Sequence, residues 1–136
     1  MIRTALILVT AGTLGACAAN QPYEMSEKDA AELKEALADR VAGEPESCLS
    51  LQTTRNSQIV DGQHILFKQG RTTWLNQPQM QCPLLGRVGY AMVLEPTVGT
   101  HVCRGDVIKV MDTSTRSIIA ACSFGEFVPY RLAERE

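Results

Sequence analysis

The pattern of apolar and polar positions changes character near Cys48. Before it, Ala30, Leu33, Leu37 and Val41 recur at helical spacing and leave one narrow apolar stripe. Ser26 stands where an N-cap belongs, with Glu27 and Asp29 in the first turn, where the helix dipole favours acids. Gly43 fits the position just past a helix end, and Pro45 forbids continuation. This predicts an amphipathic helix over 26–43. So thin a stripe suits a helix packed on the following domain or a solvated spacer, and both readings stay open.

From Cys48 onward the helical period disappears, and short β-type runs alternate with turns. Gln58–Val60, His64–Lys68 and Arg71–Leu75 are separated by Asp61-Gly62 and Gln69-Gly70, which predicts a three-strand meander. Asn76–Pro83 reads as a loop. Val88, Tyr90, Met92 and Leu94 alternate with smaller residues and form the best strand pattern, closed by Pro96. Val107–Met111 and Ile118–Phe124 are further strands around the polar turn Asp112–Arg116. About six locally connected strands predict a mainly β fold, a small antiparallel β-barrel or sandwich over 46–131 preceded by one N-terminal α-helix.

The first residues belong to neither pattern. Arg3 precedes an apolar run from Ala5 to Leu14, and small residues follow. These are the parts of a secretory signal, and the run is far shorter than the roughly 20 residues that span a bilayer. Leu14-Gly15-Ala16-Cys17 resembles the lipobox of bacterial lipoproteins. The resemblance implies that 1–16 is removed and that Cys17 takes the lipid, with 17–25 as a tether. Ala18, rather than the Asp that resembles an inner-membrane retention signal, favours an outer-membrane anchor facing the periplasm.

Composition adds limits. Arg3 is the only charge in 1–16, so the processed chain carries 12 basic and 15 acidic side chains. Residues 18–47 hold eight acids against three bases, and residues 48–131 hold eight bases against five acids. Nothing approaches the dense basic face that nucleic-acid binding requires, so no nucleic-acid partner is expected. Of five cysteines, four remain beside Cys17: Cys48, Cys82, Cys103 and Cys122. An even number in an exported chain predicts two disulfides. Three pairings are possible; Cys82–Cys103 with Cys48–Cys122 is favoured if first and last strands are neighbours in a closed sheet. The competing reading is a metal site at His101 and Cys103 joined by Cys82 or Cys122, but the spacing lacks paired Cys-x-x-Cys elements.

No catalytic, cofactor-binding or metal-ligating residue is assigned. Nucleophile-elbow, zinc-protease and phosphate-loop motifs are missing. His64 and His101 are the only imidazoles, and His64 reads as an ordinary solvated side chain opening a strand. Asp61, Asp106 and Asp112 sit at turns, where acids cap backbone amides. Arg104-Gly105-Asp106 is the turn before a strand and not an adhesion motif. Phe67, Trp74 and Tyr90 read as core.

The order Cys48-Leu49, Ile59-Val60-Asp61, Ile65-Leu66-Phe67, Asn76, Cys82-Pro83-Leu84-Leu85, Cys103-Arg104-Gly105-Asp106-Val107-Ile108 and Cys122-Ser123-Phe124-Gly125-Glu126-Phe127 is similar to a bacterial group, the domain-of-unknown-function family 6491. The resemblance spans about residues 46–130, and its more specific parts are Cys-Pro-x-Leu and Cys-x-Gly-Asp. It implies an envelope location and no particular activity.

The sequence therefore points to a non-enzymatic envelope lipoprotein that binds an envelope protein or supports a structure there. A second reading is a binder of a small apolar ligand, with a pocket lined by Phe67, Trp74, Tyr90 or Met92. A third is an enzyme, which would place a carboxylate or thiol within hydrogen-bond reach of His64 or His101.

Overall fold

The computed structural model describes residues 23–96 and 99–134. A helix α1 (Glu27–Ala36) leads into strands β1 (Arg40–Ala42) and β2 (Cys48–Ser50), a single-turn helix α2 (Leu51–Thr54), and strands β3 (Ser57–Asp61), β4 (His64–Gln69) and β5 (Thr72–Asn76). Strands β6 (Tyr90–Leu94), β7 (His101–Cys103), β8 (Val107–Asp112), β9 (Ile118–Ser123) and β10 (Phe127–Leu132) follow. They form three antiparallel sheets, ordered β1-β10-β5-β4-β3, β2-β7 and β6-β8-β9. None closes on itself, so the mainly β expectation holds and the fold is a sandwich, not a barrel.

The six expected strands are all present within a residue or two, and four more accompany them. Three of these, β1, β2 and β7, are only three residues long and too short to display a period. The fourth, β10, contains Pro129, which ordinarily argues against a strand interior. Here Pro129 faces Trp74 in β5 without needing an amide hydrogen. Its own carbonyl points the other way and accepts from the Gly43 N–H at 2.7 Å, just beyond the end of β1. The missing donor therefore falls where the β1 ladder has already stopped.

The expected helix over 26–43 is shortened. Ser26 does cap it, accepting from the Asp29 N–H at 3.1 Å. It ends at Leu37 because Asp39 turns left-handed, at φ 57°, and sends the chain into β1. Aspartate tolerates that conformation better than most side chains. Gly43, expected just past the helix end, instead lies beyond β1.

The five-stranded sheet is covered on both faces. On one face Leu33 and Ala36 of α1 and its C-cap Leu37 pack on Val60, Leu66, Leu75 and Tyr130, and Glu32 accepts from the Gln58 side-chain amide at 2.6 Å. The helix therefore packs on the β-domain and is not a solvated spacer. On the other face Ile65, Phe67 and Phe127 meet Ile108 and Val110 of β8, with Leu49, Val102, Cys122 and Phe124 in the same core. A chain beginning at Pro45 uncovers Leu66 and also loses β1. We expect it to lose its cooperative thermal transition, whereas Leu37→Ala, at a half-buried site, should cost about 1–2 kcal/mol in a denaturant titration.

Candidate functional site

The four cysteines expected in disulfides are in disulfides, but the favoured pairing is corrected. Cys48 joins Cys103 and Cys82 joins Cys122. A Cys48–Cys122 bridge requires first and last strands that adjoin in a closed sheet. In the structure β2 pairs with β7 instead, and the register sets Cys48 opposite Cys103. The ladder hydrogen bonds fall in alternate pairs: Arg104 N–H donates to Ser47 O at 2.7 Å in the adjacent pair, and Leu51 N–H to Thr100 O at 2.8 Å three pairs along. Cys48 and Cys103 thus occupy a non-hydrogen-bonded pair, where opposed Cα atoms approach most closely, here 3.9 Å. Cys122 points from β9 into the core, where the loop after β5 delivers Cys82; both are buried. The metal reading loses its thiols to these bridges. His101 is exposed on β7 and touches the Thr100 hydroxyl at 3.2 Å. Cys17 lies outside the described residues.

A cluster of polar side chains lies at the β3–β4 turn. Asp61 and His64 flank the two-residue turn Gly62-Gln63 and face each other across the hairpin. His64 is buried, not solvated as its sequence position suggested. Its Nδ1–H donates to Asp61 Oδ1 at 2.9 Å, and the Gln77 side-chain amide donates to its Nε2 at 3.1 Å. Asp61 also accepts from the Gln63 N–H at 2.7 Å, the capping role expected of a turn acid, and from the Tyr23 hydroxyl. The turn is packed hard against the Cys82 segment. The Cys82 N–H donates to Gly62 O at 2.8 Å, and a Cβ on Gly62 would stand 2.4 Å from the Cys82 carbonyl oxygen, so only glycine fits.

Burial works against ionisation of Asp61. The hydrogen bonds from Tyr23, Gln63 and His64 outweigh it and hold the carboxyl below the ordinary aspartate value of 3.8. Desolvation raises the Tyr23 phenol above its ordinary 10.0, and its hydrogen bond to the Asp61 carboxylate adds to the rise. The signs follow. A depressed carboxyl stabilises the fold fully above pH 3.8 and loses that contribution as pH falls through its folded value. A raised phenol stabilises it fully below pH 10.0 and loses that contribution as pH climbs further. Melting temperatures measured between pH 2 and pH 7 should fall at the acid end, and Asp61→Asn should flatten part of that fall while costing about 1–2 kcal/mol at neutral pH.

The cluster meets the geometric demand of the enzyme reading, a carboxylate within reach of a histidine. Its second ring nitrogen argues otherwise. A general base needs a lone pair that can reach substrate, and the Nε2 lone pair of His64 already accepts from Gln77. What the four side chains do is fasten three separate segments together: the chain at Tyr23, the β3–β4 hairpin and the loop after β5. The residues of the pocket reading belong to the core or pack on it from partly exposed positions. Phe67 is wholly buried, and Trp74, Tyr90 and Met92 pack around the same core. The other turn acids also act as caps: Asp106 accepts from the Cys103 N–H, and Asp112 from the Ser114 and Thr115 N–H groups.

Compared with models of protein families, with curated proteins and with solved structures, the chain finds no match in any of the three.

Proposed function

We propose that the chain is an outer-membrane lipoprotein, related to family 6491, whose β-sandwich is a non-enzymatic binding or structural module facing the periplasm. The observation that carries the proposal is the pair of disulfides within one small domain. Such bonds persist in an oxidising compartment, which agrees with a signal at 1–16 and a lipid on Cys17. The commitment of both His64 ring nitrogens, and a core filled where an apolar ligand would sit, favour a protein-facing or supporting role over catalysis or ligand storage. Two or three acyl chains on one residue would make the anchor effectively permanent, because each buried methylene contributes about 0.8 kcal/mol. Its partners on this reading are the membrane itself and an envelope protein.

The test is metabolic labelling with palmitate followed by membrane fractionation. The wild type should take label and sediment with outer membranes. Cys17→Ser should take none and be released or remain unprocessed. An unlabelled wild type found free in the periplasm would refute the proposal.

A further inference from the structure

The described chain begins at Tyr23, and Tyr23 is fastened there by its hydroxyl's hydrogen bond to Asp61. Tyr23, Gln81, Leu84 and Arg87 line one cleft of about 230 Å³. Met80 and Val88 are the chain neighbours of Gln81 and Arg87. Met80 is 61% exposed, Tyr23 37%, and Val88, at 101%, stands entirely in water. The other exposed large hydrophobic side chains among the described residues lie on β1, β8, β9 and β10.

The loop that carries Met80 and Val88 is pinned in place. The Gln79 N–H donates to Ser123 O at 3.0 Å, Cys82 is bridged to Cys122, and Leu85 is buried in the core. In this loop Val88 is left in solvent. Single exposed apolar residues are ordinary; the position of these two is what matters. Tyr23 follows Cys17 by six residues, which span at most about 20 Å when fully extended. A lipid on Cys17 sits in the bilayer, so the cleft and its rim are held within that reach of the membrane surface. Tyrosine, with an apolar ring and a polar tip, suits that boundary. Arg87 stands beside Val88, and the cleft also holds three acids, Glu24, Asp29 and Asp61, of which Asp61 accepts from Tyr23 and Asp29 from Ser26.

We propose that the rim formed by Tyr23, Met80 and Val88 is a membrane-contacting face, with Val88 and Met80 seated at the headgroup–acyl boundary of the bilayer that holds the Cys17 lipid. The proposal rests on the lipoprotein reading. It means that the anchored domain has a fixed orientation and presents its opposite end to the periplasm.

Hydrogen exchange read by mass spectrometry on vesicles of phosphatidylethanolamine with a minor share of phosphatidylglycerol tests it. Two preparations are compared with the same chain free in solution. One is the protein purified from bacterial membranes. The other is residues 17–136, which contain every described element, coupled through the Cys17 thiol to a maleimide phospholipid. The expected result is exchange slowed about tenfold in residues 78–90, the factor that burying one valine side chain supplies, with β8 and β9 unchanged. Val88→Asp should abolish the slowing, and Val107→Asp, at the end of β8 away from the start of β6, should leave it intact. No slowing in the coupled chain, or equal slowing across β8 and β9, overturns the proposal whatever the state of Cys17 in the cell. Slowing in the coupled chain, with no lipid on the membrane-purified protein, supports the face and refutes the lipoprotein reading instead.

Discussion

Replacing Cys82 and Cys122 together by serine is expected to lower the melting temperature by about 15 °C. The bridge closes a loop spanning 40 residues, and the chain-entropy model gives such a loop about 4 kcal/mol. For a domain of this size 1 kcal/mol corresponds to roughly 4 °C. The Cys48–Cys103 bridge spans 55 residues, and the same model gives it a similar value. The two losses should differ in kind. Cys82 and Cys122 are buried, so their removal also disturbs the core and frees the loop that meets the β3–β4 turn. Cys48 is exposed and Cys103 half-buried, in a short outlying ladder, so removing that pair should loosen β2 and β7 first. Thermal scans of the two double variants check this. A shift below about 3 °C for Cys82→Ser with Cys122→Ser would contradict the account of that loop, since it would amount to less than 1 kcal/mol.

Phe67→Ala is expected to cost about 3–5 kcal/mol, against a total stability of about 5–15 kcal/mol. The chain has three phenylalanines, and all meet in one place. The Phe67 ring lies 6.1 Å from that of Phe124, nearly edge-on, and 6.0 Å from that of Phe127, which is 5.3 Å from Phe124. Phe67 comes from the five-stranded sheet, Phe124 from the turn after β9, and Phe127 opens β10. Truncating Phe67 leaves a void among elements that two other strands and a disulfide hold apart, so collapse cannot fill it. Phe67→Leu keeps most of the volume and should lose far less. Urea titrations of both variants decide the matter: equal losses would mean that the cluster is not tightly packed.

These effects mark what could and could not be read from the chain. Strands β3 to β6, β8 and β9 were legible because alternation and the Asp61-Gly62 turn are local signals. Strands β1, β2 and β7 exist because partners distant in sequence pair with them, and three residues cannot announce that. Pro129 concealed β10, although its unpaired position falls where no donor is needed. The disulfide residues followed from compartment and parity, whereas the pairing depended on the unforeseen β2–β7 ladder. The Asp61–His64 contact did leave a trace: a two-residue turn sets its flanking residues opposite one another. Nothing local pointed to Tyr23 or Gln77, which come from 38 and 13 residues away. The helix was legible at its Ser26 cap but not at its end, because Asp39 stops it before Gly43 can.

The most direct measurement is the intact mass of the protein extracted from bacterial membranes without reduction, followed by peptide mapping. The account predicts a chain that begins at Cys17, carries diacylglyceryl and acyl groups on that residue, and yields linked peptides for Cys48–Cys103 and Cys82–Cys122. An unmodified Cys17 or four free thiols would contradict it.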